Sequence, residues 1–96
     1  MANPINAILI NETDNVATTI VELSEGECAR FWLQGEIVEV AIREKIPQYH
    51  KFALCSIHRS ELVRKYGEVI GRALCDIERG AHVHVHNISS PGRSEL

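Results

Sequence analysis

The segment Glu36-Ile37-Val38-Glu39-Val40-Ala41-Ile42-Arg43 decides the fold. From residue 38 its even-numbered residues are branched and apolar, while the odd-numbered ones include glutamate and arginine, the alternation of a β-strand with one buried face. The run 29–33 precedes it, and Gln34-Gly35 joins the two. A two-residue connection with glycine is typical of a β-hairpin, and Ile46-Pro47 ends the unit because proline has no backbone N–H to donate.

The second half of the chain repeats a short pattern. Ala53-Leu54-Cys55-Ser56-Ile57-His58-Arg59-Ser60 and Ala73-Leu74-Cys75-Asp76-Ile77-Glu78-Arg79-Gly80 lie 20 residues apart and share A-L-C-x-I-x-R followed by a small residue, and 21–26 is a weaker copy. We interpret each copy as a strand that passes through a tight turn into another strand, since a small residue tolerates turn conformations that larger ones resist. Gly67 and Gly71 are predicted bends between strands. So few copies with so short a period indicate a compact, hairpin-rich domain rather than a solenoid.

The N-terminal region gives conflicting signals. The apolar run 7–10 predicts a first strand. Apolar residues at 16, 17, 20 and 21 then have helical spacing with Asp14 as an N-cap, whereas the β-branched run 18–21 favours a strand. We expect a short helix there, and therefore a mostly β domain with one or two short helices.

Length and composition predict one domain over residues 1–96, with a core at about 7–88 and a flexible tail at 89–96. Apolar residues make up 45% of the chain and charged residues 24%, an ordinary balance for a globular protein. A domain of this size buries only about 60–65% of the surface that its unfolded chain exposes, so it can hardly enclose a ligand pocket of roughly 300–1,000 Å³. Small-molecule chemistry would therefore require a partner chain or a homo-oligomer of the isolated chain.

Charge and cysteine usage argue against several classes of protein. The formal net charge is −3 and the basic residues are scattered, which argues against nucleic-acid binding. The sequence shows neither a leader nor the run of about 20 apolar residues that crosses a bilayer, so we expect a cytoplasmic protein without membrane contact. Cys28, Cys55 and Cys75 are odd in number and widely separated, which predicts reduced, mostly buried thiols rather than disulfides or a zinc knuckle.

The segment His82-Val83-His84-Val85-His86-Asn87 is the main candidate for chemistry. In an extended strand its three histidines would share one face, and the valines would be buried on the other. Imidazole binds borderline metals and transfers protons near pH 7. Alternate residues of a strand are about 6.5–7 Å apart and imidazole–metal bonds only about 2 Å long, so two neighbours could share one ion but three in line could not.

Several short segments, taken in their order and spacing, carry a resemblance to a known family. They are Asp14-Asn15-Val16-Ala17, Ile46-Pro47, His50-Lys51-Phe52-Ala53-Leu54, Lys65-Tyr66-Gly67, Val69-Ile70-Gly71, Asp76-Ile77 and the histidine segment 82–87. Together they resemble the small N-terminal domain of altronate dehydratase and the small subunit of (2R)-sulfolactate sulfo-lyase. The resemblance implies an SAF (antifreeze-like) domain with a β-clip fold, in agreement with the hairpins indicated by the residues themselves.

The resemblance also implies a function. The family's larger enzymes eliminate water or sulfite from a hydroxy- or sulfo-substituted carboxylate, with a divalent metal such as iron or manganese implied for the altronate enzymes. By resemblance, the chain is the small subunit of a carbon–oxygen or carbon–sulfur lyase that acts with a separate large subunit on a sugar acid such as altronate, galactarate or sulfolactate. His84 and His86 are the candidate metal ligands and acid–base groups, His50 and Lys51 are further catalytic candidates, and Asn87 and Lys51 are candidates for substrate binding.

Two other functions stay open: a non-catalytic SAF module that binds a sugar acid or a partner protein, and a purely structural β module. Lys65-Tyr66-Gly67 is interpreted as architectural. Tyr49 stands where family members usually carry a glycine before the His-Lys pair, and Ser60 replaces another turn glycine. Glycine allows a positive φ or the close approach of a ligand and tyrosine restricts both, so we expect the substrate or partner geometry to differ here.

Overall fold

The computed structural model describes residues 4–89, which form nine strands and no helix. The strands are β1 (Ala7–Ile8), β2 (Val16–Thr19), β3 (Cys28–Leu33), β4 (Glu36–Ala41), β5 (Lys51–Ala53), β6 (Leu62–Lys65), β7 (Glu68–Ala73), β8 (His82–Val83) and β9 (Ile88–Ser89). They pair antiparallel in a four-stranded sheet of order β1-β2-β5-β8, the hairpin β3-β4 and a three-stranded sheet of order β6-β7-β9. Nothing in the described range is a helix long and apolar enough to cross a membrane. The prediction of a mostly β, hairpin-rich domain is confirmed.

The predicted helix from Val16 is wrong, because these residues form β2 between β1 and β5. Thr19 is fully buried, and its N–H donates to the carbonyl of His50 at 2.9 Å. β-Branched side chains suit a pleated strand packed on both sides, and this pairing outweighs the helical spacing of the apolar residues. The tail predicted at 89–96 lies outside the described residues from residue 90 onward.

Four turns of the same construction shape the domain, and we call residues 24–27, 47–50, 58–61 and 78–81 corners 1 to 4. In each corner the carbonyl of the first residue accepts a hydrogen bond of 2.9–3.1 Å from the N–H of the fourth. The third residue has a positive φ, as in a type II turn. These third residues are Gly26 (φ 90°), Tyr49 (66°), Ser60 (75°) and Gly80 (86°). Tyr49 and Ser60 therefore keep the conformation that glycine would adopt, which costs a residue with a side chain about 1–2 kcal/mol.

The corners are arranged as two copies of a larger unit, corner–hairpin–corner. The first unit spans residues 23–50 around β3-β4, and the second spans 57–81 around β6-β7. In each unit the two residues that precede the corners are buried and paired by an antiparallel bridge. The bridges are Leu23–Ile46 and Ile57–Ile77. The 20-residue repeat of the sequence therefore marks corners 3 and 4, the two ends of the second unit. Corner 2, at the end of the first unit, contains Pro47 and Tyr49 and so does not match the repeated pattern.

Each unit has its own core. The first is built around Phe31 and Phe52, whose ring centroids are 6.2 Å apart, whereas the second is entirely aliphatic. Strand β2 contributes Val16 to the second core and Ala17 to the first, because successive side chains of a strand point to opposite faces. The shared sheet thus separates the two cores. All three cysteines are free, but the prediction that they are mostly buried is wrong, because Cys55 and Cys75 are exposed and Cys28 is only partly buried.

Both hairpins reverse through two-residue turns. Gln34-Gly35 and Tyr66-Gly67 have a positive φ at both positions, the geometry of a type I′ turn, so the predicted hairpin at Gln34-Gly35 is confirmed. Asp14, predicted as a helix cap, instead accepts hydrogen bonds of 2.8 Å from the N–H groups of Tyr66 and Gly67 and fixes the second turn. Beside that turn a β-bulge leaves Ile70 without a partner in β6, which turns its side chain out of the regular alternation.

Candidate metal centre

The histidine segment is not a straight strand. Only His82–Val83 belong to β8, and residues 84–87 form a turn. The side chain of Asn87 fixes this turn, because its Oδ1 accepts from the N–H of His84 at 2.9 Å and its Nδ2 donates to the carbonyl of residue 82 at 2.8 Å. The predicted alternation over 82–86 is wrong, and Val85, expected to be buried, is 77% exposed. The physical reason is Asn87, a residue type that is rare in strands and favoured in turns.

Two corners bring histidines from distant parts of the chain together. Corner 2 ends at His50 and leads into β5, corner 4 leads into β8, and these strands pair so that Phe52 lies opposite His82. Nδ1 of His50 lies 2.9 Å from Nε2 of His82. The turn after β8 stacks the ring of His84 on that of His50, with centroids 4.2 Å apart. One ring nitrogen from each of the three histidines lies within 4.8 Å of the others.

The surroundings of the cluster keep two of its imidazoles neutral. Burial, with the neighbouring charges of His86, His50 and His84, lowers the pKa of His82 to about 4, although the carboxylate of Glu44 acts in the opposite direction. Burial, followed by the charge of His50, also lowers the pKa of His84. Because only a neutral imidazole offers a lone pair, both rings are available as ligands or bases at pH 7.

The three histidines fit a divalent metal ion. Imidazole is a common ligand of borderline divalent metals. Two nitrogens that are each about 2.1 Å from one ion, at a right angle, lie about 3.0 Å apart, close to the 2.9 Å between His50 and His82. Nδ1 of His84 is buried and has no hydrogen-bond partner among residues 4–89, an arrangement that native proteins rarely leave uncompensated. His50, His82 and His84 are therefore the residues that would hold a metal.

The structure separates the two histidines predicted as metal ligands. His84 belongs to the cluster, whereas His86 lies exposed at its rim, with its ring centroid 5.1 Å from that of His82. A ligand role for His86 stays a prediction. His82, which the straight strand would have placed beside the site, is instead at its centre with His50. The signal that could have joined these two is that each stands at or directly after the end of a corner.

The residues predicted to bind substrate differ in availability. Both polar groups of the Asn87 side chain bond to the backbone of the turn, so it positions His82 and His84, and its contact with a substrate stays a prediction. Lys51 pairs with Val83, which places it on the face of β5 opposite to that of the His82 pair. It is half-buried, and this burial, followed by the charge of Lys65, lowers its pKa.

Comparison with known proteins gives several similarities. The family model of the altronate/galactarate dehydratase SAF domain matches residues 5–91, a range that includes the whole histidine cluster. The altronate dehydratase of Escherichia coli (strain K12) is 42% identical over 80 residues, which cover 83% of this chain and 15% of that protein. The (2R)-sulfolactate sulfo-lyase subunit alpha of Chromohalobacter salexigens is 32% identical over 89 residues, 90% of this chain and 95% of that subunit. The galactarate dehydratase (L-threo-forming) of Escherichia coli (strain K12) is 37% identical over 76 residues, 79% of this chain and 14% of that enzyme. The chain thus spans about one-seventh of the length of these dehydratases and nearly all of the sulfo-lyase subunit.

Proposed function

Because the chain belongs to the altronate/galactarate dehydratase SAF-domain family, we propose that it is the small subunit of a carbon–oxygen or carbon–sulfur lyase. Such an enzyme would eliminate water or sulfite from a hydroxy- or sulfo-substituted sugar acid, with altronate, galactarate and sulfolactate as candidate substrates. The observation that carries the proposal is the cluster of His50, His82 and His84, since a purely structural β module has no need of three converging imidazoles.

We propose that catalysis requires a separate large subunit and that both subunits act in the cytoplasm. Two comparisons support this assembly. The sulfo-lyase relative of nearly the same length is named as a subunit, and the dehydratase relatives are several times longer than this chain. The histidine cluster would then supply one wall of an active site, and the large subunit would supply the rest.

Elimination next to a carboxylate must remove a weakly acidic proton and release a leaving group. A divalent metal, with iron or manganese as the candidates, would supply Lewis-acid polarisation of a substrate oxygen. Lys51 would balance the negative charge of the substrate, and Asn87 would hold the backbone of His82 and His84 in place. His86 would exchange protons with solvent, because its ring is exposed at the rim of the cluster and its centroid lies 5.1 Å from that of His82.

Metal binding by the 96-residue chain tests the proposal most directly. We expect the EDTA-treated chain to bind one Mn²⁺ or, without oxygen, one Fe²⁺. Replacing His50, His82 or His84 by Ala should weaken binding at least about tenfold, since each substitution removes one of three ligands. His58→Ala is the matched control, because that side chain is 75% exposed in corner 3. Isothermal titration that detects no metal in the unchanged chain, or equal affinity in all four variants, would contradict the proposal.

Reconstitution separates a catalytic subunit from a binding module. The chain co-expressed with a large lyase subunit encoded beside it should elute with that subunit in one size-exclusion peak and should support turnover. His82→Ala should leave this complex intact and lower turnover at least about tenfold. A complex that forms but keeps full turnover with His82→Ala would instead assign the chain to the non-catalytic SAF modules.

A further inference from the structure

A cleft of about 260 Å³ lies beside the histidine cluster and has a chemical character of its own. It is bounded by the start of β5, the bulged hairpin β6-β7 and the turn that leads into β9. Its lining residues are Lys51, Lys65, Ile70, Val85, Ile88 and Ser89. Two of the three lysines of the chain thus face one small space with apolar walls, and no acidic residue among residues 4–89 lines it.

Neither lysine has a carboxylate partner among residues 4–89. The third lysine, Lys45, pairs with Glu22 at 3.6 Å although both are exposed. Lys51 and Lys65 are half-buried and form no such pair, and the ammonium group of Lys65 lies 4.6 Å from the ring centroid of Tyr66. Partly buried ammonium groups normally find an anion, since desolvation and like charge both disfavour two unpaired cations at one place.

The hairpin geometry explains how this cleft is built. Asp14 fixes the Tyr66-Gly67 turn, which sets the direction of Lys65 directly before it. The β-bulge turns Ile70 out of alternation, and it lines the cleft and packs against the second core. The segment 65–67, interpreted from the sequence as architectural, therefore supports the hairpin turn and also supplies a cation.

We propose that the cleft binds an oxyanion, the carboxylate or sulfonate group of a small acid, between the ammonium groups of Lys51 and Lys65. A volume below that of drug-sized pockets favours a small molecule over a macromolecular ligand. The cleft lies near the metal cluster, because the charge of Lys51 acts on His84 even though Lys51 is on the face of β5 opposite to that of the His82 pair. The identity of the acid rests on the proposed lyase function, whereas the binding itself requires no metal.

Titration of the metal-free chain tests the cleft separately from the histidines. The probe is tartrate, a hydroxy dicarboxylate, and threitol is its uncharged counterpart with the same carbon skeleton. In EDTA, nitrogen–proton correlation NMR should show tartrate shifting the amide signals of residues 51, 65, 70 and 88, and threitol shifting none. Tartrate affinity should fall as sodium chloride is raised, because the attraction is electrostatic.

Matched lysine variants decide the outcome. Lys65→Met and Lys51→Met keep the apolar stem and remove the charge, and each should weaken tartrate binding about tenfold, as expected for the loss of one charge-assisted hydrogen bond. Lys45→Met should change tartrate affinity less than twofold, and all three variants should keep the wild-type unfolding midpoint. Unchanged tartrate affinity in Lys65→Met, or equal binding of threitol, would overturn the proposal.

A second titration distinguishes this failure from failure of the metal site. Lys65→Met should bind Mn²⁺ with unchanged affinity, and His82→Ala should bind tartrate with unchanged affinity in EDTA. If the unchanged chain binds tartrate but does not bind Mn²⁺, only the lyase proposal is overturned. If the histidine variants lose Mn²⁺ but tartrate shifts the signals of an acidic or distant surface instead, the cleft is not the anion site.

Discussion

The two corner–hairpin–corner units have the same backbone arrangement but differ in the side chains that form their cores. The core of the first unit packs Phe31 against Phe52 of the neighbouring strand β5, whereas the core of the second is aliphatic throughout. The histidine cluster belongs to neither unit alone, because His50 closes the first and His82 follows the second. The comparison teaches that the repeated backbone makes the fold, and that the histidine cluster forms only where the ends of the two copies meet.

The units also differ in how tightly their corners are enclosed. Gly80 in corner 4 accepts a hydrogen bond from the N–H of Arg43, and a Cβ atom placed on it would lie 2.1 Å from the carbonyl oxygen of Ala41. Gly26 in corner 1 has nearly the same φ, and a Cβ there would meet no atom within 4 Å. The two glycines are therefore alike in conformation and opposite in packing.

The largest expected effect comes from exchanging these glycines for alanine. Gly80→Ala should lower the free energy of unfolding by about 3–4 kcal/mol, because it adds a backbone clash between the units to the strain of positive φ. Gly26→Ala should lower it by about 1–2 kcal/mol, since only the strain is present. Urea unfolding of both variants measures the difference. Equal destabilisation would mean that corner 4 is no more enclosed than corner 1.

Acidification should destabilise the histidine cluster, where the ends of the two units meet, before it destabilises the units themselves. The pKa of His82 is lowered to about 4 from an ordinary value of 6.5, so below pH 6.5 the unfolded chain binds a proton that the folded chain refuses. The metal-free chain should therefore lose stability as the pH falls from about 6.5 towards 4. We expect a loss of about 1 kcal/mol between pH 7 and pH 5, after allowance for the partial exposure of the ring.

Urea unfolding at both pH values, in EDTA, measures this loss. His82→Asn should remove most of the pH dependence, and His58→Asn, at an exposed corner, should keep it. A pH dependence that is the same in His82→Asn and in the unchanged chain would show that the cluster does not resist protonation.

The smallest effect concerns the corners that lack glycine. Tyr49 has a φ of 66° and is 67% exposed, so its side chain adds strain and little packing. The free energy of unfolding of Tyr49→Gly should be about 1 kcal/mol higher than that of Tyr49→Ala, since alanine keeps the strain of the positive φ and glycine removes it. Thermal or urea unfolding of the pair measures the difference. Alanine as stable as glycine at this position would mean that corner 2 relaxes out of the geometry of corner 1.

The hairpin at 34–35 could be predicted because its signals are local. Alternation along 36–43 and the turn residues Gln34-Gly35 lie within one short stretch, and the structure places a type I′ turn there. At Val16 two local signals conflicted, and pairing with β1 and β5 decided between them. The local sequence pattern was therefore enough to predict the hairpin. Where local signals conflicted, the pairing with neighbouring strands decided the secondary structure.

The candidate site could be predicted only in part, because it depends on long-range contacts. The histidine segment marked the region, but a straight strand would have separated its imidazoles, and the turn fixed by Asn87 removes that limit. The contact of His50 with His82 joins residues 32 positions apart, and no local pattern specifies such a pair. The available signal was that all four corners have the same geometry, which would have placed His50 at the end of one corner and His82 directly after the end of another. Pro47 and Tyr49 make corner 2 differ in sequence from the other corners, so this signal was not visible.

The shortness of β8 has a consequence for the order in which the domain forms. Each hairpin closes between neighbouring segments, so its loop entropy is small and it can form early. The ladder between β5 and β8 has only two residue pairs, and it joins the strand that follows the first unit to the strand that follows the second. Slow amide hydrogen exchange should therefore persist in β3-β4 and β6-β7 after His82 and Val83 have become exchangeable. Local opening at this ladder would separate His50 from His82 while most of the structure remains folded.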